Sequence, residues 1–84
     1  MLLTNLKLGK EAKVVALKTS GEKRRRLLDL GLIPGTIVKA IRKSPSGDPV
    51  AYKIRGTILA LRSEETNLIE IKKINESEEW YKWD

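Results

Sequence analysis

Turn residues cut this chain into short pieces, and that punctuation decides what it can fold into. Apolar runs such as residues 14–17 and 58–61 last a few positions before a glycine, a proline or a polar cluster intervenes. Runs of that length suit the strands of a half-buried sheet rather than long helices. They also fall far short of the roughly 20 apolar residues that a bilayer-spanning helix needs.

Within that punctuation, residues 12–17 centre on Val14 and Val15 and read as a first strand. Thr19 followed by Glu22 has the spacing of a capping box, and residues 23–30 are rich in helix formers, with Leu27, Leu28 and Leu30 clustered. Gly31 is placed to end the helix and Pro34 to prevent its resumption. Pro34 and Gly35 suit the centre of a type II turn. Residues 36–42 then supply Ile37, Val38 and Ile41 to a second strand, before the turn-rich segment SPSGDP at 44–49. Residues 50–55 alternate, with Val50, Tyr52 and Ile54 on one face and Ala51, Lys53 and Arg55 on the other. Gly56 marks a tight hairpin or a bulge, after which residues 57–62 make another strand with Leu59 and Leu61 inward. Ser63 is expected to cap a helical turn through Asn67, and residues 68–74 close the domain with Ile69 and Ile71 in the core.

Five short strands and one early helix favour a mainly β fold, a small antiparallel barrel that removes open sheet edges by closing on itself. A two-layer α+β sandwich is the alternative. The 84 residues make one domain, expected over 1–74 and followed by an acidic, aromatic tail at 75–84 that is expected to be flexible or to dock through its aromatics. A chain of this size hides roughly 60–65% of its surface on folding, so the core is modest. Apolar residues make up 40%, enough for a core without staples, and there is no cysteine. That absence fits a reducing cytosol, and residues 1–8 have no leader-like apolar stretch, so a cytoplasmic location is expected.

The missing chemistry is as informative. With no His and no Cys, zinc, copper and iron–sulfur chemistry lose their usual ligands. Asp29, Glu64 and Glu65 are explained by solvation and by capping of helix starts. There is no GxxxxGK[ST] phosphate loop, and Ser20, Ser44, Ser46, Ser63 and Ser77 fall in turns or the tail without a histidine to activate them. The expectation is a non-enzymatic binding module with no cofactor and no metal site.

Charge indicates the kind of partner. The chain carries +6 overall, and because Glu76, Glu78, Glu79 and Asp84 face only Lys82 in the tail, residues 1–75 hold +9. Such a balance fits an acidic protein partner, a nucleic acid or a membrane surface, or simply a solvated exterior. The densest basic run is Lys23, Arg24, Arg25 and Arg26 on the expected helix. It can contact phosphates or present an arginine to an acidic or nucleotide-bearing protein. Single-strand readers interleave aromatics with basic residues, and Tyr52 is the one aromatic before residue 80, which disfavours nucleic acid.

The segment RRRLLDLGLIPGT at residues 24–36 strongly resembles the signature of the ferrous iron transport protein A (FeoA) family. SPSGDPVAYKIRGTILALR at 44–62 and SEETNLIEI at 63–71 look like the rest of that domain in the same order. The resemblance spans residues 4–72. It implies an SH3-like β-barrel with a helix between the first two strands. It further implies an accessory role in bacterial ferrous iron uptake, acting on the cytosolic GTPase portion of the membrane transporter FeoB, with transition-metal association at family level. The same domain occurs in iron-dependent repressors, attached to a DNA-binding body that a chain of this length lacks. Thr66 stands where alanine is common in the family.

By position, Arg26, Leu27, Asp29, Leu30, Gly31, Pro34, Gly35, Gly56, Leu61 and Arg62 match the family signature. Most have structural roles: the leucines cover one end of the barrel, the glycines and Pro34 serve turns, and Asp29 or Arg62 fixes the helix through a charge-assisted hydrogen bond. Arg24 and Arg25, with an apolar cleft between helix and barrel near Leu32 and Ile33, are the candidates for partner contact. The alternative function is a small basic nucleic-acid-binding module.

Overall fold

The computed structural model describes residues 1–74, and the tail at 75–84 lies outside the described residues. Five antiparallel strands, β1 (Glu11–Leu17), β2 (Ile37–Lys43), β3 (Val50–Ile54), β4 (Thr57–Leu61) and β5 (Ile69–Lys73), form one sheet in the order β4-β3-β2-β1-β5. Helix α1 (Gly21–Asp29) joins β1 to β2, and the one-turn helix α2 (Ser63–Thr66) joins β4 to β5.

Each turn follows from its residues. Helix α1 ends in a Schellman motif: Gly31 has φ 99°, its N–H donates to Leu28 O at 2.9 Å, and Leu32 N–H donates to Leu27 O at 3.0 Å. The chain then turns at Pro34 and Gly35, with Gly35 at φ 98° and Thr36 N–H donating to Ile33 O at 2.9 Å, as the type II geometry requires. Arg55 and Gly56, at φ 53° and 83°, form a two-residue type I′ hairpin closed by the Ile54–Thr57 pair.

Both expected helix caps differ from observation. Ser20, not Thr19, is the N-cap of α1, and its side chain makes no capping hydrogen bond. Three residues beyond Ser20 stands Lys23, which cannot accept a hydrogen bond, so the reciprocal box does not form. Arg62, not Ser63, caps α2. Glu65 Oε1 accepts the Arg62 N–H at 3.3 Å, and the Asp48 carboxylate, from the β2–β3 loop, accepts the Ser63 N–H at 2.9 Å. The acceptors missing from the cap residue therefore come from neighbouring carboxylates.

The core is one cluster on the inner face of the sheet. Tyr52 and Ile54 of β3, Ile69 and Ile71 of β5, Val14 of β1 and Leu61 of β4 are buried in it with Leu27 of α1. On β2 the inward positions are Val38 and Ala40, while Ile37 stands 40% exposed. Bulges between Val14 and Ala16 in β1 and between Ala40 and Arg42 in β2 shift the register and sharpen the local twist, which curls the sheet around this core.

The expected small antiparallel barrel takes the form of a curled sheet whose two outer strands are not joined by a ladder among the described residues. β4 and β5 are its outer strands and do not pair with each other. Two devices protect β5. Ile71 N–H donates to Met1 O at 2.7 Å, and Leu2 bridges to Glu70, so the segment before β1 covers its edge. The turn at Leu3–Asn5 then meets α2 through a 2.7 Å hydrogen bond between the Thr4 and Thr66 hydroxyls. Thr66 is 2% exposed, and this bond, with another to Ser63 O at 3.3 Å, satisfies its hydroxyl. A threonine is thereby accommodated where the resemblance leads one to expect alanine.

Candidate functional site

The exposed face of α1 carries four consecutive basic residues. Helical spacing would spread Lys23, Arg24, Arg25 and Arg26 around the axis, but Leu27 is 2% exposed and anchors one side of the helix in the core. Leu28 and Leu30 are half-buried on either side of it, and all four basic residues face solvent.

Of these four, Arg26 is committed. Its guanidinium pairs with Glu65 of α2, a carboxylate only 16% exposed. Glu65 therefore serves two partners, Arg26 through Oε2 and the Arg62 N–H through Oε1. This replaces the expectation that Asp29 or Arg62 fixes the helix. Both are exposed, and among the described residues neither forms an ion pair. Arg24 and Arg25 likewise have no acidic partner among the described residues.

Between the two helices lies a cleft of about 180 Å³ lined by Lys23, Arg26, Leu27, Glu64, Glu65 and Leu68. It has an apolar floor in Leu27 and Leu68, and charges of both signs at its rim. This is not the expected position near Leu32 and Ile33. Leu32 is fully buried, because the Schellman motif directs the residue after Gly31 back onto the helix and into the core. Ile33, one position on, is 42% exposed at the start of the Pro34–Gly35 turn. Glu64, Glu65 and Leu68 were missed as site residues, since nothing in sequence spacing joins them to a helix some 39 residues earlier.

The remaining signature residues hold the frame. Gly31 sits so close to the β3–β4 hairpin that a Cβ there would lie 3.4 Å from Arg55 Cδ and from Ile54 Cγ2. Gly35 N–H donates to Val14 O at 2.7 Å, which ties the turn to β1. Leu61 is buried, Leu30 packs against the core, and Gly56 occupies the hairpin.

A second, smaller hollow of about 110 Å³ is lined by Lys43, Asp48, Tyr52 and Ser63 among others. Burial raises the phenol pKa of Tyr52 above its ordinary value, and the Asp48 carboxylate adds to the shift. On β5, Glu70 accepts a hydrogen bond from the N-terminal ammonium at 2.6 Å and pairs with Lys18 at 3.1 Å. Those contacts, the ammonium first, lower its carboxyl pKa. Among the described residues, no three His, Cys, Asp or Glu side chains are grouped to hold a metal ion, and no helix is long and apolar enough to cross a membrane.

Comparison with known proteins places this geometry. The model of the FeoA domain matches residues 1–73. The Fe(2+) transport protein A/Fe(2+) transporter FeoB fusion protein of Porphyromonas gingivalis is 32% identical over 75 residues, which is 89% of this chain and 9% of the fusion protein. The chain thus spans less than a tenth of that relative's length. The solution structure of the FeoA protein from Chlorobium tepidum is 36% identical with a TM-score of 0.82, covering 89% of this chain and 71% of its own. The zinc complex of FeoA from Stenotrophomonas maltophilia, described as a prokaryotic SH3 domain protein, is 29% identical with a TM-score of 0.77 and covers 86% and 89%. The curled five-stranded sheet with its helix between β1 and β2 is accordingly SH3-like, and the chain belongs to the FeoA domain family.

Proposed function

We propose that this chain is a non-enzymatic accessory protein of bacterial ferrous iron uptake that binds the cytosolic GTPase part of a FeoB-type transporter and modulates its cycle. The observation that carries this reading is the relative in which a FeoA part and FeoB share one polypeptide. Covalent linkage holds two modules at effective concentrations of about a millimolar, which favours direct contact between a surface of the FeoA part and one of FeoB. Here that surface is the free basic face of α1, namely Arg24 and Arg25, continued by exposed Ile33 and by the cleft between α1 and α2. A chain without His or Cys acts on iron transport through protein contact rather than by holding the metal itself.

The test is a titration of the full chain against the purified cytosolic portion of the transporter from the same organism, in GDP- and GTP-analogue-bound forms. Saturable binding is expected, weakened by salt and by Arg24→Ala with Arg25→Ala, together with a changed rate of GTP hydrolysis. Absence of binding at low salt in both nucleotide states rejects the reading. A nucleic-acid role gains little support, because Tyr52, the one aromatic among the described residues, is 2% exposed and offers no base a stacking platform.

A further inference from the structure

The outer face of the sheet collects lysines in a way that the ladder itself does not relieve. The register sets Lys39 directly opposite Lys53, and Lys13 directly opposite Lys72. All four point away from the core and are exposed. Like charges across a ladder repel, and the one acidic side chain in these rungs is Glu11, opposite Lys39. The same rungs continue into apolar side chains: Ile58, opposite Lys53, is 56% exposed, and Ile37, opposite Lys13, is 40% exposed. A surface with two lysine pairs and two exposed isoleucines matches a segment that combines carboxylates with large aromatics.

This chain contains such a segment. Residues 76–84 hold Glu76, Glu78, Glu79 and Asp84 with Trp80, Tyr81 and Trp83. They follow β5 directly, and Ile74 N–H donates to Glu11 O at 3.3 Å, so the described chain ends beside the rung that carries Lys39 and Lys53. From β5 to β4 is four strand spacings, about 19 Å. Ten residues extended reach roughly 33 Å. We propose that the acidic, aromatic segment 76–84 docks on the outer lysine face of its own sheet, with its carboxylates among Lys13, Lys39, Lys53 and Lys72 and its aromatics against Ile37 and Ile58.

Both tryptophans of the chain, Trp80 and Trp83, lie in this segment, so fluorescence excited beyond tyrosine absorption reports on it alone. The experiment is acrylamide quenching of the full chain beside a synthetic peptide of residues 75–84. Quenching at least about twofold weaker than in the peptide is expected, as a docked population of one half or more gives. The protection should be independent of protein concentration and should fade at 1 M salt, where the screening length falls to about 3 Å. Lys53→Glu combined with Lys72→Glu should abolish it. In that variant each new carboxylate faces a lysine across the ladder, so the fold, checked by far-UV circular dichroism, is retained. Peptide-like quenching in the wild-type chain overturns the proposal. So does protection that grows with concentration, which would put the segment on a second copy, or protection indifferent to the double substitution, which would put it elsewhere.

Discussion

Leu32 and Ile33 are neighbours in sequence with opposite expected fates, and truncating each separates packing from recognition. Leu32 is 0% exposed, so Leu32→Ala removes buried carbon equivalent to about three methylenes, or ~2.4 kcal/mol of transfer free energy. The cavity left in a close-packed core raises the cost to about 3–4 kcal/mol. A domain of this size has a total stability of roughly 4–13 kcal/mol. The loss should lower the thermal midpoint by roughly 12–30 °C, at about 4–8 °C per kcal/mol. Ile33 is 42% exposed, and Ile33→Ala should change stability by less than about 0.5 kcal/mol. Urea denaturation followed by far-UV circular dichroism is the appropriate assay, because both tryptophans, Trp80 and Trp83, lie outside the described residues. For the proposed binding to a transporter's cytosolic part, the expected order inverts at temperatures where both variants are folded: Ile33→Ala should weaken it and Leu32→Ala should not. A Leu32→Ala chain as stable as the wild type, or an Ile33→Ala chain as damaged as the Leu32 variant, would refute the packing argument.

Other perturbations test the frame and its charges. Gly31→Ala places an L side chain at φ 99° and should cost about 1–2 kcal/mol, seen as a lower urea midpoint; no loss would mean that the helix does not end in the left-handed conformation. The pKa of Glu70 is lowered on folding, so its contribution to stability is complete above the ordinary carboxylate range and is lost as pH falls through the folded-state value. Glu70→Gln should therefore flatten the acid limb of a stability–pH profile, and an unchanged slope would exclude the N-terminal ammonium as its partner. The pKa of Tyr52 is raised, so the stability it contributes persists below the ordinary phenol value near 10 and fades as pH rises beyond it. In a Tyr81→Phe chain, where Tyr52 is the remaining tyrosine, the ultraviolet titration should have its midpoint above that ordinary value, and a midpoint at or below it contradicts burial of the ring.

Local chemistry explains which elements were legible. Pro34–Gly35, Gly31 and Gly56 each occupy a backbone conformation that few other residues tolerate, so the turn positions followed from residue type alone. The alternation of residues 50–54 likewise identified Tyr52 and Ile54 as inward, because a strand has no other way to present them. The register of β2 was less legible: Ile37, Val38 and Ile41 are all apolar, and an apolar pattern does not reveal that small Ala40 takes the core face. The caps failed for a related reason. A capping box is sought within four residues, whereas Asp48, which holds the start of α2, lies 15 residues from Ser63.

The candidate site illustrates the same division more sharply. From sequence, Arg26 belongs to one undivided basic run, and only folding separates it from Arg24 and Arg25 by bringing Glu65 to it. Arg26 then joins α1, which links β1 to β2, to α2, which links β4 to β5. An ion pair with its arginine this exposed contributes little to stability, at most about 1 kcal/mol. Its consequence for recognition is larger. With Arg26 paired to Glu65, Lys23, Arg24 and Arg25 are the cations of the α1 face that have no ion pair among the described residues, and under the proposed function they are what an acidic partner would meet beside the cleft that Arg26 and Glu65 help to line.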